Sequence, residues 1–367
     1  MPPRFVVLAE GSFSPLRSKT ANACIRYTPE HVVAVIDSTQ AGSTAQQVLG
    51  FGGAIPVVAS LAEGLTKYPT ALLIGIAPPG GQLPPSWRAL LLEAIDRKLD
   101  LWSGLHTFLS DDAQLARHAE AAGVEIHDLR KPPADLDIAR GRVRELDDTH
   151  TVVLTVGTDC NIGKMTTQLQ LRDTMRRRGA RVAFAATGQT GILVEGWGVS
   201  VDAVVADFIA GAAERLVLEA APKGEIVLVE GQGSIIHPSY SGVTYGLMHG
   251  SLPHAMVMCA QPSRVAINHH PWVKIPPLPE LIALQEATAA PLRPAPVIAV
   301  ALNTFDLDDA AARAAVERVT SETGLPATDP VRFDPAPLVD AIIQFHEARL
   351  GGAGGAPRTQ TVRAAMA

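Results

Sequence analysis

The segment from Thr151 to Thr167, TVVLTVGTDCNIGKMTT, constrains the fold of this chain more than any other. An apolar, mostly β-branched run ends at Gly157, and Gly163 is followed by a lysine and, after Met165, two threonines. A buried strand must therefore hand over to a helix through a glycine-rich turn. Glycines let backbone N–H groups converge on phosphate oxygens, the helix N-terminus adds positive potential, and Lys164 adds a full charge. The candidate cofactor-binding residues are Gly157, Thr158, Asp159, Asn161, Gly163, Lys164, Met165, Thr166 and Thr167.

The loop departs from the usual G-x-x-x-x-G-K-[ST] in two places. Gly157 comes one residue early, and Met165 stands where a metal-binding hydroxyl belongs. A thioether is a poor ligand for Mg²⁺, which takes hard oxygen donors. Thr166 replaces that hydroxyl only if the helix start is shifted. The loop is thus expected to hold a phosphate or diphosphate, and ordinary Mg²⁺–triphosphate chemistry is not.

A chain of 367 residues has room for two domains. Upstream of the loop, strand-like runs at Phe5–Ala9, Val32–Asp37, Ile55–Val58, Ala71–Ile76 and Asp100–Ser103 alternate with helical patterns at Ser43–Leu49, Trp87–Lys98 and Asp111–Ala122. Such alternation predicts a Rossmann-like, doubly wound parallel sheet over residues 1–127. No GxGxxG follows its first strand, so a dinucleotide site is not expected, and Asp37 reads better as a turn cap than as a ribose ligand. Residues 128–150 are charged and contain Pro132-Pro133, which reads as a connection. A P-loop NTPase-like α/β domain is expected over 151–350. Its strands are placed at Val152–Val156, Val182–Ala186, Ile226–Glu230, Ala255–Cys259 and Val297–Leu302, and its last helix near Leu338–Leu350. Residues 351–367 read as a flexible tail. No internal repeat is visible.

Composition narrows the partners. The formal net charge is −6 and no basic stripe interleaves with aromatics, so nucleic acid is not expected. No run approaches the roughly 18 apolar residues that span a bilayer, and the N-terminal apolar run is too short for a signal peptide. The three cysteines have no paired or metal-ligand spacing, which fits a reducing, cytoplasmic setting. The expected partners are a small-molecule substrate and further copies of the chain in a homo-oligomer.

Several strand ends carry candidate chemistry. Glu230, at the tip of Ile226–Val229 in VEGQGS, either faces the ligand crevice of an open α/β sheet or caps the next loop. Asp207 is a crevice carboxylate or a helix cap. Residues from Ser234 to Met256 read as one long loop, rich in Gly, Ser, His and Tyr, and supply His237. Gln189 lies in a second glycine loop, and Arg264 offers a planar fork for a carboxylate or phosphate. Adjacent His269 and His270 have no carboxylate or cysteine at ligand spacing, so no metal site is assigned. Asn303, at the end of Val297–Leu302, is placed to meet an adenine.

GTDCNIGKMTT and VEGQGS resemble the dethiobiotin synthetase branch of P-loop proteins. A fuller likeness takes in SKTANACIRY, VVAVIDSTQAG, GTDCNIGKMTT, the GQTG loop, ADFIAGAAE and VEGQGSIIHPSYSGVTYGLMHG. Together these resemble the DUF1611 family, which includes D-glutamate N-acetyltransferases. The resemblance implies that the loop holds the phosphates of acetyl-CoA as cosubstrate, with an acidic amino acid as acceptor. It implies a base among Glu230, Asp207 and His237, with Lys164 or backbone N–H groups on the oxyanion. Lys19, Arg26, Gln189 and Arg264 then become the substrate-binding candidates. Cys160 offers a route through an acyl-cysteine. The alternative is an ATP–Mg-dependent ligase or kinase of the dethiobiotin synthetase type, using Thr166 and Glu230 on the metal.

Overall fold

The computed structural model describes residues 2–76 and 83–351. The first unit contains β1 (Phe5–Leu8), α1 (Lys19–Tyr27), β2 (Val32–Ile36), α2 (Ala45–Leu49), β3 (Val57–Val58), α3 (Leu61–Leu65), β4 (Ala71–Ile74), α4 (Pro85–Asp96), β5 (Asp100–Ser103), α5 (Ala113–Ala122) and β6 (Ile126–Asp128). Its six strands pair in parallel in the order β3-β2-β1-β4-β5-β6. This is the doubly wound Rossmann order, in which the direction of winding reverses beside β1. Strands β1 and β4 are buried at every position, as unbroken apolar runs covered on both faces should be.

At the end of β1 the chain's own groups satisfy the Asp37 carboxylate. The Asp37 carboxylate accepts the N–H groups of Ser12 (3.2 Å), Phe13 (2.8 Å) and Thr39 (2.9 Å), and the Thr39 hydroxyl (2.6 Å). Burial alone would raise its pKa, but the Thr39 and backbone hydrogen bonds outweigh it and hold the acid below its usual range. Asp37 is a cap, as the missing glycine fingerprint implied.

The second unit contains β7 (Thr151–Gly157), α6 (Lys164–Arg177), β8 (Val182–Ala185), α7 (Gln189–Glu195), α8 (Ile209–Ala220), β9 (Ile226–Val229), α9 (Ser241–Ser251), β10 (Ala255–Ala260), β11 (Ala266–Ile267), β12 (His270–Lys274), α10 (Leu278–Ala289), β13 (Val297–Leu302), α11 (Asp309–Thr323), β14 (Ala327–Thr328) and α12 (Ala336–Gly351). Its parallel sheet runs β14-β13-β10-β7-β9-β8, and β11–β12 form a separate antiparallel hairpin. Strand β7 sits between β9 and β10, so the glycine loop leaves the sheet at its switch point.

Two expectations change. The stretch from Ser234 to Met256 is not one loop, because it holds the 11-residue helix α9. Its sequence, SGVTYGLMHGS, has poor helix propensity, and tertiary packing overrides that. A side chain at Gly250 would place its Cβ 2.0 Å from the Ala210 carbonyl, so glycine lets α9 lie directly on α8. Helix α1 was not among the expected elements either, although KTANACIRY is amphipathic and buries Ala21, Cys24 and Ile25 at helical spacing.

The stretch read as a connection is pinned down. Asp128 belongs to β6, and Glu214 of α8 accepts the N–H groups of Arg140 (3.0 Å) and Arg142 (2.7 Å). The units also share core residues: Leu193 of α7 packs into the first unit's core, and Tyr27 of α1 packs against the α6 side of the second. Apart from Gly351, the expected tail lies outside the described residues. Among the described residues, no helix is long and apolar enough to cross a membrane.

Candidate active site

The glycine loop folds as its sequence requires. Asn161 and Gly163 take positive φ values of 53° and 103°, which turn the intervening amides to one side before α6 begins at Lys164. The Lys164 ammonium is buried and donates to the Asp159 carbonyl at 2.7 Å. Burial lowers its pKa, the Lys19 charge lowers it further, and nearby Asp159 opposes both. The buried Thr158 hydroxyl has no hydrogen-bond partner among the described residues. An orphan donor beside a lysine and converging amides is what a phosphate group would satisfy.

The Mg²⁺ hydroxyl is missing in space as well as in sequence. Met165 and Tyr27 both pack against the core on the α6 side of the sheet, and the Tyr27 phenol lies against Thr166 and Gln170. Thr167 faces Cys259, with its Oγ1 3.7 Å from the sulfur. Both threonines are thus drawn towards packing contacts.

Glu230 stands just beyond β9, 4% exposed. Its Oε2 accepts the N–H groups of Thr187 (2.9 Å) and Gly188 (3.2 Å), and its Oε1 accepts the Gln232 side-chain amide (3.3 Å). Burial pushes its pKa up to about 7, although those amides and the Lys19 charge pull it down. A carboxyl group that exchanges its proton near neutrality is suited to general acid–base work.

Three candidates take different places from those expected. Arg264 donates from Nη1 to Asp159 Oδ2 (2.8 Å) and to the Cys160 carbonyl (2.9 Å), so it braces the loop. Arg26 stacks on Phe51, 4.0 Å from the ring centre, at the far end of α1 from Lys19. Asp207 is exposed in a single helical turn, Ala206–Phe208, and its side chain makes no hydrogen bond among the described residues. It neither caps α8 nor joins the Glu230 cluster.

His237 is close to the loop, with Nε2 3.9 Å from Asp159 Oδ1. The Ser239 N–H donates to its Nδ1 (3.1 Å), which puts the proton of the neutral ring on Nε2. Burial lowers its pKa and favours this neutral form. His237 therefore offers an N–H to the site and is not set up as the base. The same tautomer opposes metal binding through Nε2, although Asp159, Cys160 and His237 lie within 4.8 Å of one another. Burial also raises the Cys160 pKa, which disfavours a thiolate nucleophile.

The first unit completes the crevice. Lys19, the first residue of α1, places its charge within reach of Cys160, Lys164 and Glu230. Asn303 lies beside the loop, its Nδ2 3.8 Å from the position a Gly163 Cβ would take. Gln189 Oε1 accepts from Arg130 (3.4 Å), which also binds Asp202 (2.6 Å). Arg130, His106 and Asp202 escaped sequence reasoning. Arg130 stands in a charged, proline-containing stretch with the composition of a linker, and only the fold carries it to the junction.

Comparison with known proteins bears on this geometry. Family models match residues 38–132, a Rossmann-like domain described as DUF1611_N, and residues 137–339, a P-loop domain described as DUF1611_C; both descriptions call the function unknown. The chain belongs to the DUF1611 family. A crystal structure of a DUF1611 protein from Anabaena variabilis superposes with a TM-score of 0.87 at 40% identity, covering 93% of this chain and 99% of that one. A relative from Tritonibacter scottomollicae, named D-glutamate N-acetyltransferase, is 38% identical over 329 residues, 89% of this chain and 94% of its own. A Pseudoalteromonas protein of the same name is 35% identical over 277 residues, 74% of this chain and 81% of its own. The DUF1611 membership accounts for the joined Rossmann-like and P-loop units.

Proposed function

We propose that this protein is an N-acetyltransferase that moves the acetyl group of acetyl-CoA to the amine of an acidic amino acid, with D-glutamate as the acceptor. The observation that carries the reading is Glu230, a buried carboxyl group titrating near neutrality beside a phosphate loop that lacks a metal-binding hydroxyl. The names of the two relatives, both D-glutamate N-acetyltransferase, support acetyl transfer and D-glutamate as its acceptor.

The residues fit a CoA phosphate. The orphan Thr158 hydroxyl, the loop amides and Lys164 supply donors without requiring Mg²⁺. In the transfer, Glu230 takes a proton from the substrate ammonium. The freed amine attacks the thioester carbonyl, a C–N bond forms, the C–S bond breaks, and the CoA thiolate leaves to be protonated. The His237 Nε2–H or a backbone N–H stabilises the developing oxyanion, since Lys164 is engaged on the phosphate. Lys19 provides a positive charge for a substrate carboxylate.

Purified protein incubated with acetyl-CoA and D-glutamate should release free CoA and form N-acetyl-D-glutamate without ATP. ADP release that depends on ATP–Mg²⁺, with no CoA release, would instead support the ligase or kinase. Lys164→Ala should raise the KM for acetyl-CoA about tenfold to a hundredfold, the worth of a charge-assisted contact. An unchanged KM would remove Lys164 from the phosphate site.

A further inference from the structure

The junction between the two units holds a cation that the acetyl-transfer reading does not use. Arg130 follows β6, and its side chain is 5% exposed. A guanidinium has five N–H donors, and two of its nitrogens, Nε and one Nη, form a side-on fork that matches a carboxylate. In Arg130 the Nη1 corner is occupied, by Asp202 Oδ2 at 2.6 Å and Gln189 Oε1 at 3.4 Å. The side-on fork is not. Among the described residues Nε is buried without a partner, and Nη2 makes one long contact, 3.3 Å, to His106 Nδ1.

A buried, unpaired guanidinium donor is costly unless something completes it. His106 is the only described side chain bonded to that fork, and it is exposed. Partial burial and the Arg130 charge lower its pKa and keep the ring neutral, so it brings no negative charge to the guanidinium. The neighbourhood is that of the base. Gln189 directly follows Gly188, whose N–H binds Glu230, and the Val201 N–H donates to the Thr187 carbonyl at 3.0 Å, which ties the Asp202 turn to the same loop.

We propose that the Nε–Nη2 fork of Arg130 is the receptor for the side-chain carboxylate of an amino dicarboxylic acid, with His106 as the movable group that covers it. The inference deepens the acetyltransferase reading and rests on it for the choice of substrate. Two cations, Lys19 and Arg130, then flank one base, which matches a substrate with two carboxylates and one ammonium. Asp202 holds Nη1 and orients the fork, so it is a positioning residue.

The test is equilibrium binding of D-glutamate and of its side-chain amide, D-glutamine, measured by calorimetry on the full chain without acetyl-CoA. Lysine cannot present two parallel N–H groups, so Arg130→Lys should weaken D-glutamate binding about tenfold or more and leave D-glutamine within about twofold. Equal losses for both ligands, or none for either, would overturn the assignment. Should Arg130→Lys fail to fold, His106→Ala decides, because it alters an exposed side chain. Tighter D-glutamate binding relative to D-glutamine supports a covered fork, and an unchanged ratio refutes it. Retained discrimination in a protein that transfers no acetyl group would sink only the transferase reading. Acetyl transfer to D-glutamate with unaltered discrimination in both variants would sink only this inference.

Discussion

Glu230→Gln should lower kcat by about 10²- to 10⁴-fold, the usual worth of a positioned general base. Glutamine keeps the shape but cannot take the ammonium proton. In the native protein kcat/KM for the proposed transfer should rise with pH as the carboxyl ionises, with a midpoint near 7, the value to which burial brings it. The rise should vanish from the residual activity of the variant. A surviving limb at the same pH would assign the titration to another group.

The same acid leaves a mark on stability, of opposite sign to its effect on activity. Its folded pKa of about 7 exceeds the ordinary 4.5, so between those values the folded state binds more protons than the unfolded one. Stability is then lost as pH rises through that window. The variant should lack this decline, which thermal unfolding across pH would show.

Gly231→Ala should be the more destructive change to the fold. The new Cβ would lie 1.7 Å from the Thr155 carbonyl oxygen and 2.7 Å from its carbon, both backbone atoms of β7. The Gly231 N–H also donates to the Thr155 hydroxyl at 2.9 Å, so the loop after β9 cannot lift away freely. Overpacking against a rigid central strand lies at or beyond the upper end of about 1–3 kcal/mol. A loss near 3 kcal/mol lowers a midpoint by roughly 6–12 °C in a unit of this size. Glu230 and Gln232 flank the site, so activity should fall as well. Gly242→Ala is the control, because nothing lies within 4 Å of its added methyl. Equal midpoints for the two variants would refute the argument.

The alternation of short apolar runs with helical patterns was enough to read both parallel sheets. Unbroken β-branched runs such as VVAVI and TVVLTV have no stable place except a sheet buried on both faces. Elements defined by contacts were harder. Strand β6, of sequence IHD, is half-buried at the sheet edge and has no apolar pattern. Helix α9 depends on a close approach to α8 that propensity cannot show. The hairpin β11–β12 is short, and its second strand contains a proline.

The candidate site divides in the same way. The phosphate loop and Glu230 were legible because backbone turns and strand tips are local features written in consecutive residues. Side-chain roles were not. Arg264 read as a ligand clamp, yet it pairs with Asp159, a fully buried carboxylate that also accepts the N–H groups of Cys160 and Asn268. His237 read as a base until the Ser239 N–H fixed its tautomer.

By itself, then, the sequence determined the phosphate loop, its missing metal hydroxyl and the acid at the tip of β9. These follow from local backbone geometry and from the kind of atom each residue carries. Tertiary structure alone decided that burial pushes the Glu230 pKa up to about 7, that Lys19 reaches the loop from another unit, and that Arg130 keeps a fork unfilled among the described residues. Burial, charge proximity and unmet hydrogen bonds depend on what residues far apart in the chain bring together in space.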